Sequence, residues 1–241
     1  ALIGSSNEVA FANIFSILFT KLPIRDLFIR LNFKIIKPIF SYGFSIYPHV
    51  LGASLLLGAD RLFLSHYHDI DTVGLYTLSF QYASILLILN SICTRIFQPR
   101  AYEYFNNFNI HKNSIQLCTP LALPYILIII SFSILLIIFI SLFEELLFKG
   151  VYRSAIIPCY ILIISFTMYW ISTIVVPFLT NIGKNKIISL STLFSLLVNL
   201  IGNFFLVPIY GTLGASCATG ISIFFGSVFI FLSANIERKK I

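Results

Sequence analysis

Polar residues recur at helical spacing inside an apolar stretch of the sequence. The run from Thr72 to Thr94 contains no charged residue, yet it carries Gln81, Ser84 and Ser91, and Arg95 follows directly after it. On a helix these positions share one face. Polar groups at membrane depth are costly unless they face protein or water. The stripe therefore predicts either a helix that lines a polar cavity or one held to its neighbours by hydrogen bonds.

An acidic and a basic residue stand side by side after an earlier apolar run. Asp60 and Arg61 follow the charge-free segment from Pro38 to Ala59 and open the polar stretch DRLFLSHYHDID, which we expect to be a connection between two spans. The pair either sits in the mouth of a cavity or marks the edge of the membrane. On this interpretation no acidic residue lies in the middle of a span.

The same connection contains the cluster HYHDID, with two histidines and two aspartates between His66 and Asp71. Imidazoles and carboxylates within a few residues of each other can ligate a cation. No further ligand lies near them in the sequence, so a polar turn is the favoured interpretation. Three asparagines inside apolar runs, Asn90, Asn199 and Asn203, are predicted either to line a passage or to form interhelical hydrogen bonds.

The composition is that of an integral membrane protein. Apolar residues make up 58% of the 241 residues, charged residues only 10%, and the mean hydropathy is +0.95. A soluble domain carries about a quarter charged residues. The net charge of +7 is therefore interpreted through the loops that set membrane orientation, and not as a nucleic-acid-binding surface.

The apolar runs predict an all-α, polytopic membrane helix bundle of about seven transmembrane helices. PIYGTLG, at Pro208 to Gly214, divides the final apolar stretch into two spans. The predicted spans are residues 1–20, 38–59, 72–94, 117–143, 155–180 and two within 187–236. Between the first two, Lys21 to Lys37 is predicted to be a basic amphipathic segment on an anionic leaflet.

The loop charges fix an orientation for these spans. With the C-terminus in the cytoplasm, the predicted map places thirteen of the 16 Lys and Arg residues on that side. Only Arg61, Lys149 and Arg153 fall on the other side. This bias follows the positive-inside rule. The chain starts at Ala1 and contains a single methionine, Met168, so we expect it to be a fragment of a longer protein.

Common cofactor motifs are absent from the sequence. It has no GxGxxG, GxxxxGK[ST], HExxH or CxxC pattern, so dinucleotide, nucleoside triphosphate and zinc chemistry lack their characteristic residues. We expect no cofactor and no metal, and coupling to an ion gradient is left open.

Two blocks of the sequence resemble the O-antigen and polysaccharide flippases of the multidrug, oligosaccharidyl-lipid and polysaccharide exporter superfamily. The first, SYGFSIYPHVLGASLLLGADRLFLSHYHDIDTVGLYTLSFQYASI, contains Tyr42-Gly43, Pro48-His49, Asp60-Arg61 and the Val-Gly-x-Tyr motif that ends at Tyr76. It is similar to the first two helices of the C-terminal half. The second, VNLIGNFFLVPIYGTLGASCATGIS, is similar to the last two helices, and the resemblance extends from Ile36 to Ser233.

The resemblance implies a fold of two six-helix lobes that works by alternating access in the bacterial cytoplasmic (inner) membrane. Residues 1–20 would be the last helix of the N-terminal lobe, 21–37 the cytoplasmic linker, 38–236 the C-terminal lobe and 237–241 a cytoplasmic tail. Almost all of the N-terminal lobe would be missing. This lobe, membrane lipids and a lipid-linked oligosaccharide would be the partners.

The implied function is translocation of undecaprenyl-pyrophosphate-linked repeat units for O-antigen or capsular polysaccharide, which is not an enzymatic reaction. Arginine suits the pyrophosphate because its planar fork makes several charge-assisted hydrogen bonds. The expected substrate contacts are Arg95 at the cytoplasmic mouth, Arg61 and Asp60 at the opposite mouth, and Gln81, Asn90, Asn199 and Asn203 along the passage.

Two alternatives are left open. An ion-coupled multidrug-type exporter of the same fold would need acidic residues inside its cavity, and the span map shows none. A membrane glycan polymerase or ligase would be expected to carry large extracytoplasmic loops, whereas the predicted outer loops are short.

Overall fold

The computed structural model describes residues 33–107, 114–148 and 152–240. Over these residues every regular element is a helix. The helices are α1 (Phe33–Tyr67), α2 (Ile70–Asn107), α3 (Ser114–Phe148), α4 (Arg153–Thr173), α5 (Val176–Asn181) and α6 (Asn185–Lys240). The chain divides into two compact units, Ala1–Gly43 and Phe44–Ile241. The second unit contains every contact described below.

Four helical stretches in the described part are long and apolar enough to cross a membrane: Ile70–Tyr104, Leu121–Glu144, Arg153–Trp170 and Asn185–Lys240. Large apolar side chains cover the outside of these helices, as on Phe205 and Leu135, while serines and asparagines are buried between them. This distribution is typical of a protein in a lipid bilayer, which exposes apolar side chains to the lipid and buries polar groups inside the bundle. The predicted all-α membrane bundle is confirmed.

Helix α6 is two antiparallel arms joined at a sharp kink. Gly211 has φ 53° and ψ −124°, a backbone conformation that glycine adopts without steric cost. The first arm (residues 185–210) then packs closely on the second arm (residues 212–240). The approach is close where Gly202 faces Ala218, since a Cβ on Gly202 would lie 3.0 Å from the Ala218 Cβ. The predicted division of the last apolar stretch is confirmed, with the kink in the middle of PIYGTLG.

The predicted polar connection between the spans 38–59 and 72–94 is much shorter than expected. Helix α1 continues to Tyr67 and α2 begins at Ile70, which leaves only His68 and Asp69 between them. The prediction that the connection starts at Asp60 is therefore wrong. A charged residue does not end a helix when neighbouring helices supply its hydrogen bonds, and the sequence after Arg61 returns to apolar residues.

The remaining predicted spans match the helices with one exception. The runs 72–94 and 117–143 lie inside α2 and α3, whereas 155–180 is divided between α4 and α5 by a turn at Ile174 and Val175. Pro177 lies in the first turn of α5, where the missing N–H of a proline leaves no helical hydrogen bond unmade. The span 1–20 lies outside the described residues, as does 21–37 up to its last five residues, which belong to α1.

Helix α4 lies at the centre of the second unit, packed against α2, α3 and α6. An aromatic cluster joins α2, α3 and α4: the ring of Phe97 lies 5.8 Å from that of Tyr125 and 6.1 Å from that of Trp170. Edge-to-face ring pairs at these separations stabilise a packed core beyond the area they bury. This core holds α2 in place against α4 and so fixes the position of the residues described next.

Candidate functional site

A buried carboxylate lies where α1, α2 and both arms of α6 meet. Asp60 is only 1% exposed and accepts four hydrogen bonds. Asn203 Nδ2 donates to Asp60 Oδ1 at 2.7 Å, and Asn199 Nδ2 donates to the same oxygen at 3.2 Å. The second oxygen, Oδ2, accepts from Thr219 Oγ1 at 2.7 Å and from the Tyr76 hydroxyl. We call these five residues the Asp60 cluster.

The helices place these side chains together through simple spacing rules. Asn199 and Asn203 are four residues apart on the first arm of α6, so both amides lie on one face. Thr219 reaches the same point because the kink at Gly211 folds the second arm back, and Thr219 Oγ1 also accepts from Asn199 Nδ2 at 3.3 Å. Tyr76 comes from α2 across the corner. The cluster therefore depends on the α1–α2 corner and the α6 hairpin together.

The Asp60 cluster contains no cationic side chain. Among the described residues, neither a lysine nor an arginine nor a histidine forms an ion pair with Asp60. Arg61 is its neighbour in sequence but turns away: its Nη1 donates to the Leu57 carbonyl at 3.1 Å, and the guanidinium lies 4.5 Å from the centre of the Phe80 ring. A carboxylate buried at membrane depth is costly unless a charge partner or hydrogen bonds compensate it.

The oxygen atoms of the cluster suit a hard monovalent cation. Asn203 Oδ1 is buried and has no hydrogen-bond partner, so the cluster contains an acceptor without a donor. Carboxylate, amide and hydroxyl oxygens are the ligands that hard cations prefer. One carboxylate balances a single positive charge. The described residues contain no group of three or more His, Cys, Asp or Glu that would suit a transition metal.

The structure separates the other predicted contact residues from this cluster. Gln81 and Arg95 are exposed on one face of α2, together with Ile88, which is 62% exposed. The polar stripe of α2 therefore packs against none of the described helices. Asn90 is buried, and its Nδ2 donates to the Phe166 carbonyl of α4 at 3.0 Å. Asn90 thus makes the interhelical hydrogen bond that was one of its two predicted roles.

The residues of HYHDID have separate contacts. His68 Nε2 donates to the Val207 carbonyl at 2.7 Å, and His66 packs edge-on against the Tyr67 ring. Asp69 accepts from the Thr72 backbone N–H at 3.1 Å and from the Thr72 hydroxyl, as the N-cap of α2. These two hydrogen bonds lower the pKa of the Asp69 carboxyl.

The sequence contained most members of the Asp60 cluster but not their arrangement. Asp60, Asn199 and Asn203 were predicted as contacts, while Tyr76 and Thr219 were missed. Asp60, which the span map placed after a span and in a polar connection, lies inside α1 and is buried. One signal was available: Asn199 and Asn203, four residues apart in an apolar run, require a buried polar partner.

The fold is similar to that of a solved membrane transporter. The comparison structure is described as the outward-facing conformation of a multidrug resistance MATE family transporter of the MOP superfamily. The two share 19% sequence identity with a TM-score of 0.58, over 80% of this chain and 43% of the transporter. No protein-family model matches the chain, and no curated protein matches it. The chain thus shares its fold with this solved transporter and spans less than half of the transporter's length.

Proposed function

We propose that this chain, which has the fold of a transporter of the MOP superfamily, is part of a flippase driven by a cation that binds at the Asp60 cluster. The observation that carries the proposal is the buried Asp60 carboxylate, which accepts four hydrogen bonds and forms no ion pair with a cationic side chain in the described part. A cation from solution would supply the missing positive charge.

Binding of a cation would change how the helices contact one another. Asp60 lies on α1, Tyr76 on α2, and the two asparagines and Thr219 on the two arms of α6. A bound Na⁺ would take oxygen ligands, so the Asn199 and Asn203 amides would rotate to present Oδ1 in place of Nδ2. This rotation exchanges the two hydrogen bonds from the asparagines to Asp60 for contacts to the ion. Such a local exchange biases helix positions, as alternating access requires.

The proposed substrate is an undecaprenyl-pyrophosphate-linked oligosaccharide of O-antigen or capsular polysaccharide biosynthesis in the bacterial inner membrane. Its support is the resemblance of two sequence blocks to polysaccharide flippases. The exposed polar face of α2 adds to this support, because Arg95 and Gln81 are open to a ligand from outside the described bundle. Arg95 would bind the pyrophosphate and Gln81 a sugar hydroxyl. The charge distribution supports a cytoplasmic C-terminus.

The experiment that tests the cation site measures the melting temperature of the whole purified protein in NaCl, KCl and choline chloride at equal ionic strength. A cation that binds only the folded state stabilises it by about 1.4 kcal/mol at ten times its dissociation constant. We expect Na⁺ to raise the melting temperature of the wild type but not of Asp60→Asn, which keeps the shape and removes the charge. A pH series at constant salt distinguishes a proton from Na⁺.

The proposed substrate is tested by measuring the amount of surface polysaccharide in cells that produce each variant. We expect Asp60→Asn to reach the membrane in normal amounts while surface polysaccharide falls at least tenfold. Normal polysaccharide in this variant would contradict the proposal. A variant that loses polysaccharide but keeps a cation-dependent melting temperature would place the ion elsewhere.

A second candidate function is an ion-coupled multidrug-type exporter. Asp60 favours it, because a buried acidic residue is what such an exporter needs and what the span map lacked. The fold neighbour is described as a multidrug resistance transporter. Extrusion of organic cations from vesicles, with surface polysaccharide unaffected in a strain that lacks the protein, would favour this function. No specific observation supports a glycan polymerase or ligase.

A further inference from the structure

The Asp60 cluster is closed toward the α1–α2 corner by an apolar layer. Leu64 and Val207 lie four residues after Asp60 and Asn203, and Ala215 lies four residues before Thr219. The second arm of α6 runs antiparallel, so all three belong to the next helical turn on the same side, about 6 Å further along the helices. Each is fully buried. A cation moving from this end of the bundle to Asp60 must cross this layer.

One further turn outward, a histidine ties the two helical hairpins together. His68 lies four residues after Leu64, and its Nε2 donates to the Val207 carbonyl of α6 at 2.7 Å. Val207 is in the last turn of the first arm, where helix carbonyls take partners from outside the helix. The hydrogen bond joins residues that are 139 positions apart in sequence. It therefore holds the α1–α2 corner against the kink of α6.

His68 lies beside the kink of α6 at Gly211. A Cβ built on Gly211 would lie 3.6 Å from His68 Nε2 and 3.8 Å from Thr72 Cγ2. These are ordinary van der Waals separations, so His68 and Thr72 line the space beside Gly211. The half-buried imidazole thus stands between the α1–α2 corner and the kink of α6.

We propose that the His68–Val207 contact is the gate through which the coupling cation reaches Asp60, an inference that depends on the proposed function of the Asp60 cluster. The position of Asp60 within α1 favours entry from this end. It lies seven residues from the end of α1 and 27 residues from its start, or about 10 Å against about 40 Å of helix. Release of one hydrogen bond and movement of one apolar layer then open the shorter route.

The test measures how fast a water-soluble carbodiimide modifies Asp60 in the whole protein, reconstituted in sealed vesicles with the α1–α2 corner outside. Peptide mass spectrometry reads the modification at Asp60 separately from that at Asp69 and Asp71. We expect His68→Ala to raise the rate at Asp60 about fivefold, as suits the loss of one net hydrogen bond. NaCl should slow the reaction in both proteins.

Two variants make the result specific. His66→Ala removes the neighbouring histidine, which is exposed and packs on Tyr67, and should leave the rate unchanged. His68→Gln keeps an N–H donor of similar reach and should stay within about twofold of the wild type. Melting temperatures confirm that each variant is folded. If His68→Ala does not fold, His68→Asn takes its place, because its shorter side chain does not reach Val207. A wild-type rate of Asp60 modification in folded His68→Asn would then overturn the gate.

The outcomes separate the gate from the cation site. Equal rates for His68→Ala, His66→Ala and the wild type would overturn the gate. A faster rate in His68→Ala with no protection by NaCl would support the gate and count against Na⁺ as the coupling ion. A rate increase in His66→Ala as large as in His68→Ala would show general loosening of the corner, and would also overturn the gate.

Discussion

Asn203 Nδ2 donates to Asp60 Oδ1 over 2.7 Å and joins the last long helix of the chain to the first described one. Both side chains are at most 1% exposed. A polar pair this deep in a membrane bundle specifies how two helices pack, since either group alone would be left unsatisfied. The same pair is where we place the cation, so the residues that hold the helices together are also those expected to move them.

The hydroxyl of Thr219 contributes both to stability and to the proposed cation site. Thr219→Val removes one of the two donors to Asp60 Oδ2 and one oxygen ligand, and should cost about 2 kcal/mol of stability. We also expect the Na⁺-dependent rise in melting temperature to be lost. Thr219→Ser, which keeps the hydroxyl, is the matched control. A full Na⁺ response in Thr219→Val would remove Thr219 from the site.

Arg95 tests the role of the exposed face of α2. Arg95→Ala removes the proposed pyrophosphate contact without altering any described packing, because the side chain is exposed. Surface polysaccharide should fall severalfold while the amount of protein in the membrane stays normal. Ile88→Ala, on the same exposed face, is the control and should have little effect. Unchanged polysaccharide in Arg95→Ala would exclude this arginine from the mechanism.

Gly214 is predicted to be intolerant of any side chain. A Cβ there would overlap the carbonyl oxygen of Leu206 across the α6 hairpin, and backbone atoms cannot rotate away. Gly214→Ala should lower stability by about 1–3 kcal/mol, the usual cost of overpacking. Gly74→Ala is the control, since nothing lies within 4 Å of that position. It should be neutral or stabilising, because alanine has the higher helix propensity. Thermal unfolding in detergent compares the two.

The cap of α2 should make stability depend on acidity. Hydrogen bonds from Thr72 lower the pKa of Asp69 below its ordinary value of 3.8. Because the folded-state pKa is the lower one, this contribution to stability is complete above that ordinary value. It is lost as the pH falls through the folded-state pKa. Asp69→Ala should therefore lower the melting temperature at neutral pH, and the difference from the wild type should shrink toward pH 3. A difference that does not change with pH would contradict this account.

The predicted span map depends on local sequence alone, and its errors arise where distant contacts decide the structure. Hydropathy located α2, α3 and the division of α6, because each depends on a local run of apolar residues or on a local glycine and proline pattern. It ended the span 38–59 just before Asp60, since a charge in isolation belongs at the membrane edge. Only the contacts with Asn199, Asn203, Thr219 and Tyr76 make the buried position acceptable.

The sequence by itself determined that this chain is a helical membrane protein, because composition and apolar run length depend on no distant contact. It also identified Asp60, Asn199 and Asn203 as candidate polar contacts. The tertiary structure alone decided that these three meet, that the Arg61 guanidinium packs on the Phe80 ring, and that Arg95 lies on the exposed face of α2. The reason is physical: hydrogen bonds between residues 143 positions apart exist only after the α1–α2 corner and the α6 hairpin have formed.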